Sequence, residues 1–337
     1  MIKDNINIFF IVERIGPYHN SRFNQLSQNK KFKISIVETN PHSKTYPWDK
    51  NFTNNYQLYK INNNDENKFN ENSLVQELNQ YLFNKNPDII FITGWYEKSH
   101  YYIIYKSFFK KIPLVLISDS RLKDFKRVFH KELIKKLLIK GFCAALVAGE
   151  ERRDYLLKLK FKKNKIFKPY NVIDNNYFRA KKSVKTSTSQ KYFLSIARFV
   201  KKKNHKKLLE AFEIYKTNNG KYNLILIGRG PEEKFIKDHI KHSKFSDSIF
   251  IESWKQIHEL PEYYKNAKAT ILASSSDQWG LVVNESMASD TPCIVSKDCG
   301  CYVDLIKNSN TGWGFDSKNP EELAYLLKKV ESISSSE

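Results

Sequence analysis

Ser274-Ser275-Ser276-Asp277-Gln278-Trp279-Gly280-Leu281-Val282-Val283-Asn284-Glu285-Ser286-Met287-Ala288-Ser289-Asp290-Thr291-Pro292 lies between two short apolar runs, 269–273 and 293–295. The pattern predicts strand, loop, helix, strand: small polar residues end the first strand, Gly280 permits a tight turn, and 281–288 form a helix that stops before Pro292. Two acids are placed by that one turn. Asp277 stands in the loop ahead of the helix, and Glu285 between one and two turns inside it, at about 3.6 residues per turn. The amides of Gly280, Leu281 and Val282 open the helix with partial positive charge, which suits a phosphate. An anion site flanked by two carboxylates that accept hydroxyl hydrogens is what a sugar nucleotide requires. Any α/β protein has loops with an acid and a glycine, so this segment does not decide function alone.

Around it the second half of the chain alternates strands (192–197, 223–227, 248–251) with helices (204–217, 231–242, 259–266, 320–330). The first half does the same, with strands at 6–12, 33–38, 88–93, 114–118 and 144–148 and helices at 21–28, 73–84 and 101–109. Such alternation predicts two parallel sheets covered on both faces, with ligands beyond the carboxyl ends of the strands. We expect a first domain over 1–174, a linker over 175–190 rich in Lys, Ser and Thr, and a second domain over 191–337. Residues 62–72 are polar and read as a mobile surface excursion.

A second motif, Ser195-Ile196-Ala197-Arg198-Phe199-Val200-Lys201-Lys202-Lys203-Asn204, ends the first strand of the second half. Arg198 leaves the strand and Lys203 leads into the next helix, so a guanidinium fork and an ammonium can meet one anion. The plain alternative is a surface basic cluster, since Lys201, Lys202, Lys206 and Lys207 are adjacent. Gly228-Arg229-Gly230-Pro231 also follows a strand and opens a helix, which a tight turn explains equally well.

Together these residues resemble the retaining GT-B glycosyltransferases of the glycogen-synthase-like group. There a Glu, seven residues and a second Glu precede Ala-Met-Ala, a small residue, Gly and Pro, and an Arg is followed five residues later by a Lys. Asp277 replaces the first Glu, which shortens its reach, and Asp290 stands where the group has Gly, at a position where Asp tolerates a left-handed cap. The resemblance covers 191–315 most fully, 121–178 less, and the beginning least. Relatives usually continue into helices beyond Glu337, so a truncated chain is one expectation.

The fold implied is GT-B: two Rossmann-like parallel-sheet domains facing each other across a cleft. The resemblance implies that Arg198 and Lys203 hold the donor diphosphate, that Asp277 contacts the transferred sugar and that Glu285 accepts from ribose hydroxyls. It puts Gly228 and Trp254 in the nucleotide pocket, although Trp254 also reads as plain core, and lets the loop at Gly16 approach the diphosphate closely. It implies no cofactor and no metal, two cations and helix amides serving instead, and no obligatory protein base. His19, Trp95 and Asp119 are the candidates for the acceptor side; ordinary loop or rim residues are the alternative. The activity implied is hexosyl transfer from a nucleotide-diphosphate sugar to a glycan, lipid-linked or small-molecule acceptor in cell-surface polysaccharide synthesis. A sugar-nucleotide epimerase would share the site and would isomerise donor without acceptor.

Composition narrows the partners. A formal charge of +21 over 337 residues points to an anionic partner or to compositional drift toward Lys. No ribonucleoprotein, helix-turn-helix or zinc-finger pattern accompanies that charge, which argues against nucleic acid. Cys143, Cys293, Cys299 and Cys301, without a secretory leader, indicate a reducing compartment and structural thiols, because no fourth ligand stands at zinc-like spacing. No apolar run reaches the ~20 residues that span a bilayer, so we expect a cytoplasmic protein, peripheral on the inner membrane face at most. The stretch 122–140 reads as a basic amphipathic helix with Leu122, Phe125, Phe129, Leu133, Leu137 and Leu138 on one side. It either lies on an anionic membrane surface or, as the sequence favours, packs on the sheet with a solvated basic face.

Overall fold

The structure, a computed structural model, describes residues 5–40, 48, 53–61, 71–95, 98–124, 127–179 and 191–333. The chain divides into two compact units, Met1–Val172 and Ile173–Glu337. Each is built around one parallel sheet.

In the first unit the strands are β1 (Ile6–Val12), β2 (Phe32–Glu38), β3 (Gln57–Lys60), β4 (Ile89–Thr93), β5 (Leu114–Ser118), β6 (Ala144–Val147) and β7 (Ile166–Phe167). They form a seven-stranded sheet in the order β3-β2-β1-β4-β5-β6-β7. β1 shows why: Phe9 and Ile11 enter one core cluster and Phe10 and Val12 the other, so the strand is apolar on both faces. Helix α1 (Pro17–Ser27) covers one face through Phe23. α2 (Glu71–Tyr81), α3 (Lys98–Phe109) and α5 (Glu150–Lys158) cover the other through Leu74 and Leu78, Ile103, and Tyr155 and Leu156.

The expected continuous helix over 122–140 is broken. A 3-10 turn, Leu122–Asp124, is followed by α4 (Phe129–Leu138). Asp124 accepts from the Arg121 amide and Nε, both at 2.7 Å, which closes the turn, and Val128 is extended. Nor does α4 pack as expected. It buries none of its residues, and Phe129 is 85% exposed. The edge strands β3 and β7 and helix α5 escape the sequence reading, the strands because they are only four and two residues long.

In the second unit β8 (Tyr192–Ile196), β9 (Asn223–Ile227), β10 (Ile249–Glu252), β11 (Ala267–Leu272), β12 (Cys293–Ser296) and β13 (Gly312–Phe315) form a six-stranded sheet in the order β10-β9-β8-β11-β12-β13. α7 (His205–Thr217), α8 (Glu233–His242) and α11 (Pro320–Ser332) bury Phe212, Ile236 and Leu327 in one core. α9 (Leu260–Asn266) and α10 (Leu281–Ala288) lie on the other face, as right-handed crossovers running in opposite directions from β8 require. A short helix, α6 (Asn175–Arg179), occupies the start of the stretch expected as linker and joins that second face. Its Phe178 is buried and accepts a hydrogen bond at its carbonyl from Ser289 Oγ at 3.2 Å. Residues 62–70 and 180–190, read from sequence as excursion and linker, lie outside the described residues.

Candidate functional site

The sheet order puts β8 between β9 and β11, so the chain leaves β8 in opposite directions on either side, and the loops after these strands flank a switch-point crevice. The loop after β8 carries Arg198 and Lys203; the loop after β11 carries Asp277. They are stitched together. Asn204, in the left-handed conformation (φ 60°), donates from Nδ2 to the carbonyls of Ala273 (3.1 Å) and Ser317 (2.9 Å), and the Ser275 amide donates to the Lys202 carbonyl at 2.9 Å. Lys203 Nζ consequently reaches Asp277 Oδ2 at 2.5 Å, with side chains 15% and 13% exposed, and Ser274 Oγ donates to the same oxygen at 3.5 Å. A cation and an acid meet at the mouth of the loop.

Gly280 then starts α10. At φ 101° it occupies the left-handed region that favours glycine, and a Cβ there would have to displace the Leu272 Cδ2 methyl, 2.5 Å away. Leu281 and Val282 open the helix, where amides have no preceding intrahelical carbonyl; Val283 N already donates to the Gly280 carbonyl at 3.0 Å. The loop is braced from behind. The amides of Gly300 and Cys301 donate to the carbonyls of Asp277 (3.0 Å) and Trp279 (3.1 Å), and Trp279 Nε1 donates to Asn284 Oδ1 at 2.8 Å.

Glu285 is 2% exposed and accepts from the Tyr264 hydroxyl at 2.5 Å. Asp290 ends the turn after α10 at φ 58°, the left-handed conformation that the sequence reading allowed it. Arg198 is half-buried just past β8, and its neighbour Phe199 is bonded through its amide to the Arg229 carbonyl at 2.9 Å. This brings the loop after β9 against the loop after β8; a Cβ on Gly228 would lie 2.0 Å from the Ala197 carbonyl oxygen. Trp254 is half-buried in the loop after β10, next to the strand end that binds the Gly228 amide through Glu252 O at 3.1 Å.

The first unit assembles a different edge. Gly16 caps α1 in an extended conformation (φ −116°), and its amide donates to His19 Nδ1 at 3.3 Å. Burial, aided by the nearby Arg22 charge, lowers the His19 pKa to about 3, so the ring is neutral at physiological pH. Arg22, one turn on, donates to the Tyr170 carbonyl at 2.6 Å and stacks over its ring at 4.1 Å. Asn171 donates to Asp119 at 3.1 Å. Burial raises the Asp119 pKa, while Arg152 and Arg22 oppose that shift. His19 and Asp119 are thus joined through Arg22, Tyr170 and Asn171. Trp95 is not part of this group: it is 7% exposed and belongs to the core of the sheet.

Tyr264, Asn204, Ser274 and Arg22 were not singled out by the sequence. Asn204 and Ser274 stand inside the two quoted motifs without a role of their own, while Tyr264 and Arg22 gain meaning only from partners 21 and 148 residues away. All four cysteines are free thiols, and among the described residues no three His, Cys, Asp or Glu side chains converge as a metal-ligand set.

Residues 177–337 match the family model described as Glycosyl transferases group 1. The second unit is thus similar to group 1 glycosyltransferases over nearly its whole length. Lys203, Asp277, Gly280 and Glu285 all lie within the matched residues. The chain is 26% identical over 205 residues to the alpha-monoglucosyldiacylglycerol synthase of Streptococcus pneumoniae, covering 55% of this chain and 46% of that protein. It is 31% identical over 151 residues to the N-acetyl-alpha-D-glucosaminyl L-malate synthase of Bacillus anthracis, covering 43% and 38%. The chain therefore spans about half the length of such relatives or less. Among solved structures, a glycosyltransferase from Rickettsia africae aligns with a TM-score of 0.76 at 15% identity over 98% of this chain and 89% of its own. Anabaena HepE in complex with UDP gives 0.70 at 13% identity over 96% and 89%. At these identities the likeness is one of fold. Both units have the Rossmann-like build of GT-B proteins.

Proposed function

We propose that the chain is a retaining, metal-independent glycosyltransferase that moves a sugar from a nucleoside diphosphate to a glycan, lipid-linked or small-molecule acceptor in cell-surface glycan synthesis. The observation that carries this reading is the Lys203–Asp277 pair held at the start of α10, with buried Glu285 in the same helix. Arg198 and Lys203 grip the diphosphate, and the α10 amides add partial positive charge where negative charge builds up. Glu285, held by Tyr264, accepts from ribose hydroxyls, and Asp277 orients both Lys203 and the transferred sugar.

In the reaction the bond between the anomeric carbon and the phosphate oxygen breaks while the acceptor oxygen bonds to the same face of that carbon. The acceptor proton passes to the departing phosphate. Nothing in this scheme requires a metal or a protein base, since Arg198 and Lys203 balance the leaving diphosphate. The relatives support the substrate class: one is named for a glucosylated diacylglycerol, another for a glucosaminyl malate, and HepE holds UDP. Four free thiols accord with the reducing cytoplasm as the place of action.

The test is to incubate the chain with uridine, guanosine and adenosine diphosphate sugars, with and without glycan and lipid acceptors and a chelator. Acceptor-dependent release of nucleotide, unchanged by the chelator, with a product anomer matching the donor by NMR, is the expected result. Inverted product would overturn the stereochemical reading, and isomerised donor in the absence of acceptor would mark an epimerase.

A further inference from the structure

Most exposed large apolar side chains among the described residues fall between Tyr101 and Leu137; the others, Leu26, Phe167, Phe235 and Tyr325, are scattered. They form two stripes. On α3 the buried residues Ser99, Ile103 and Ser107 follow one face, and Tyr101, Tyr105, Phe108 and Phe109 follow another at spacings of four, three and one, with Phe108 73% exposed. The Tyr105 and Phe109 rings lie 4.6 Å apart and those of Phe108 and Phe109 5.6 Å apart, an aromatic cluster on the outside of the protein. On α4 Phe129, Leu133 and Leu137 recur every fourth residue and are all exposed.

The two stripes belong to one face. α3 connects β4 to β5 and α4 connects β5 to β6, in the same direction along the sheet, so right-handed crossovers put both helices on the same side. The turn after α4 also rests on α3: a Cβ at Gly141 would lie 3.0 Å from Ile104 Cγ2. Charge completes the pattern. Lys110 and Lys111 follow α3 directly, and Lys131, Lys136 and Lys140 lie on or just after α4, all exposed. α3 contains no acid, and the one acid of α4, Glu132, is held by Lys135 at 2.8 Å and by the Tyr155 hydroxyl at 3.0 Å.

We propose that the α3–α4 face docks on an anionic lipid bilayer, the aromatic and leucine stripes entering the headgroup boundary and the lysines meeting acidic headgroups. Clustered exposed aromatics such as Tyr105, Phe108 and Phe109 mark interaction sites on soluble proteins. A helix face with aromatics and leucines on one side and lysines at its margins is the pattern of interfacial binding. A protein partner of ordinary composition would meet such lysines with interspersed acids of its own; a rim of exposed lysines whose one acid, Glu132, is already paired matches a uniformly anionic surface.

The test is sedimentation of the full chain with vesicles of phosphatidylcholine alone or mixed with phosphatidylglycerol, read independently of any sugar transfer. Binding should be ~tenfold or more tighter on the anionic vesicles and weaken with salt. Phe108→Ser with Phe129→Ser should remove it, and Lys110→Gln, Lys111→Gln, Lys136→Gln and Lys140→Gln together should remove the preference for anionic lipid. All six side chains are exposed, so melting curves should not move. Equal affinity for both vesicle types, or full binding by the serine variant, overturns the proposal. A concentration-dependent dimer that the serine variant abolishes and vesicles do not dissociate overturns it in favour of a second copy of the chain.

Discussion

Two glycines start helices after strands in this protein, and they are not alike. Gly280 begins α10 at φ 101°, where a Cβ would be strained by the backbone and press on the Leu272 methyl at 2.5 Å, whereas Gly16 caps α1 at φ −116°, where a Cβ would meet the Trp48 ring at an ordinary 3.5 Å. The contrast extends to their surroundings. The second unit fixes its candidate residues by direct bonds, Lys203 to Asp277, Asn204 to Ala273 and Tyr264 to Glu285. In the first unit His19 and Asp119 also have hydrogen-bond donors, the Gly16 amide and Asn171, but burial favours their neutral forms, with arginines close by. One edge is therefore pre-charged for an anion, while the other presents desolvated groups suited to hydroxyl hydrogen bonds.

The largest effect should come from the charged edge. Arg198→Ala is expected to lower turnover by ~10²-fold with an unchanged melting temperature, as for loss of one charge-stabilising donor; a folded variant with normal turnover would remove Arg198 from the mechanism. Next comes acid sensitivity, which burial of neutral imidazoles places in both units. His100 in the first and His205 in the second have pKa values lowered from 6.5 to about 4 by desolvation. Their lowered folded pKa means that stability is complete above pH 6.5 and declines below it, as the unfolded chain takes up protons that the folded one refuses. Each should contribute a loss of about 2 kcal/mol by pH 5. Asp119, shifted upward, acts in the opposite sense. Chemical melts at pH 7 and pH 5 on the parent and on His205→Asn check this; an identical acid slope in the variant would contradict the role of His205.

The glycine contrast itself is tested by alanine. Gly280→Ala should cost about 1–2 kcal/mol or more of stability from the left-handed backbone alone, while Gly16→Ala should be close to neutral. Equal costs would erase the distinction between the two helix starts. The smallest effect is expected of Tyr264→Phe, which removes one hydrogen bond to Glu285 and should weaken nucleotide binding by about 1 kcal/mol in calorimetry. Glu285→Ala should weaken it more.

Much of this was legible in the chain. β1, β5, β9 and α10 lie where apolar runs and Pro292 put them, because strands buried on both faces leave an uninterrupted apolar signal. The short strands β3, β7 and β13 did not, having too few residues to show a period. The stretch 122–140 misled because amphipathicity records that a helix has two faces and not which face is covered.

The sequence by itself determined two alternating α/β halves, a glycine-started helix carrying Glu285, and an Arg-to-Lys spacing that suits a phosphate. Those are local properties, set by propensity, charge and chain geometry within a few residues. Only the tertiary structure decided that Lys203 closes on Asp277, that Tyr264 holds Glu285, that Trp95 is core, and that Phe108 and Phe129 face outward. Each depends on side chains from elements far apart in sequence, and the sheet order and burial that bring them together are absent from any single window of residues.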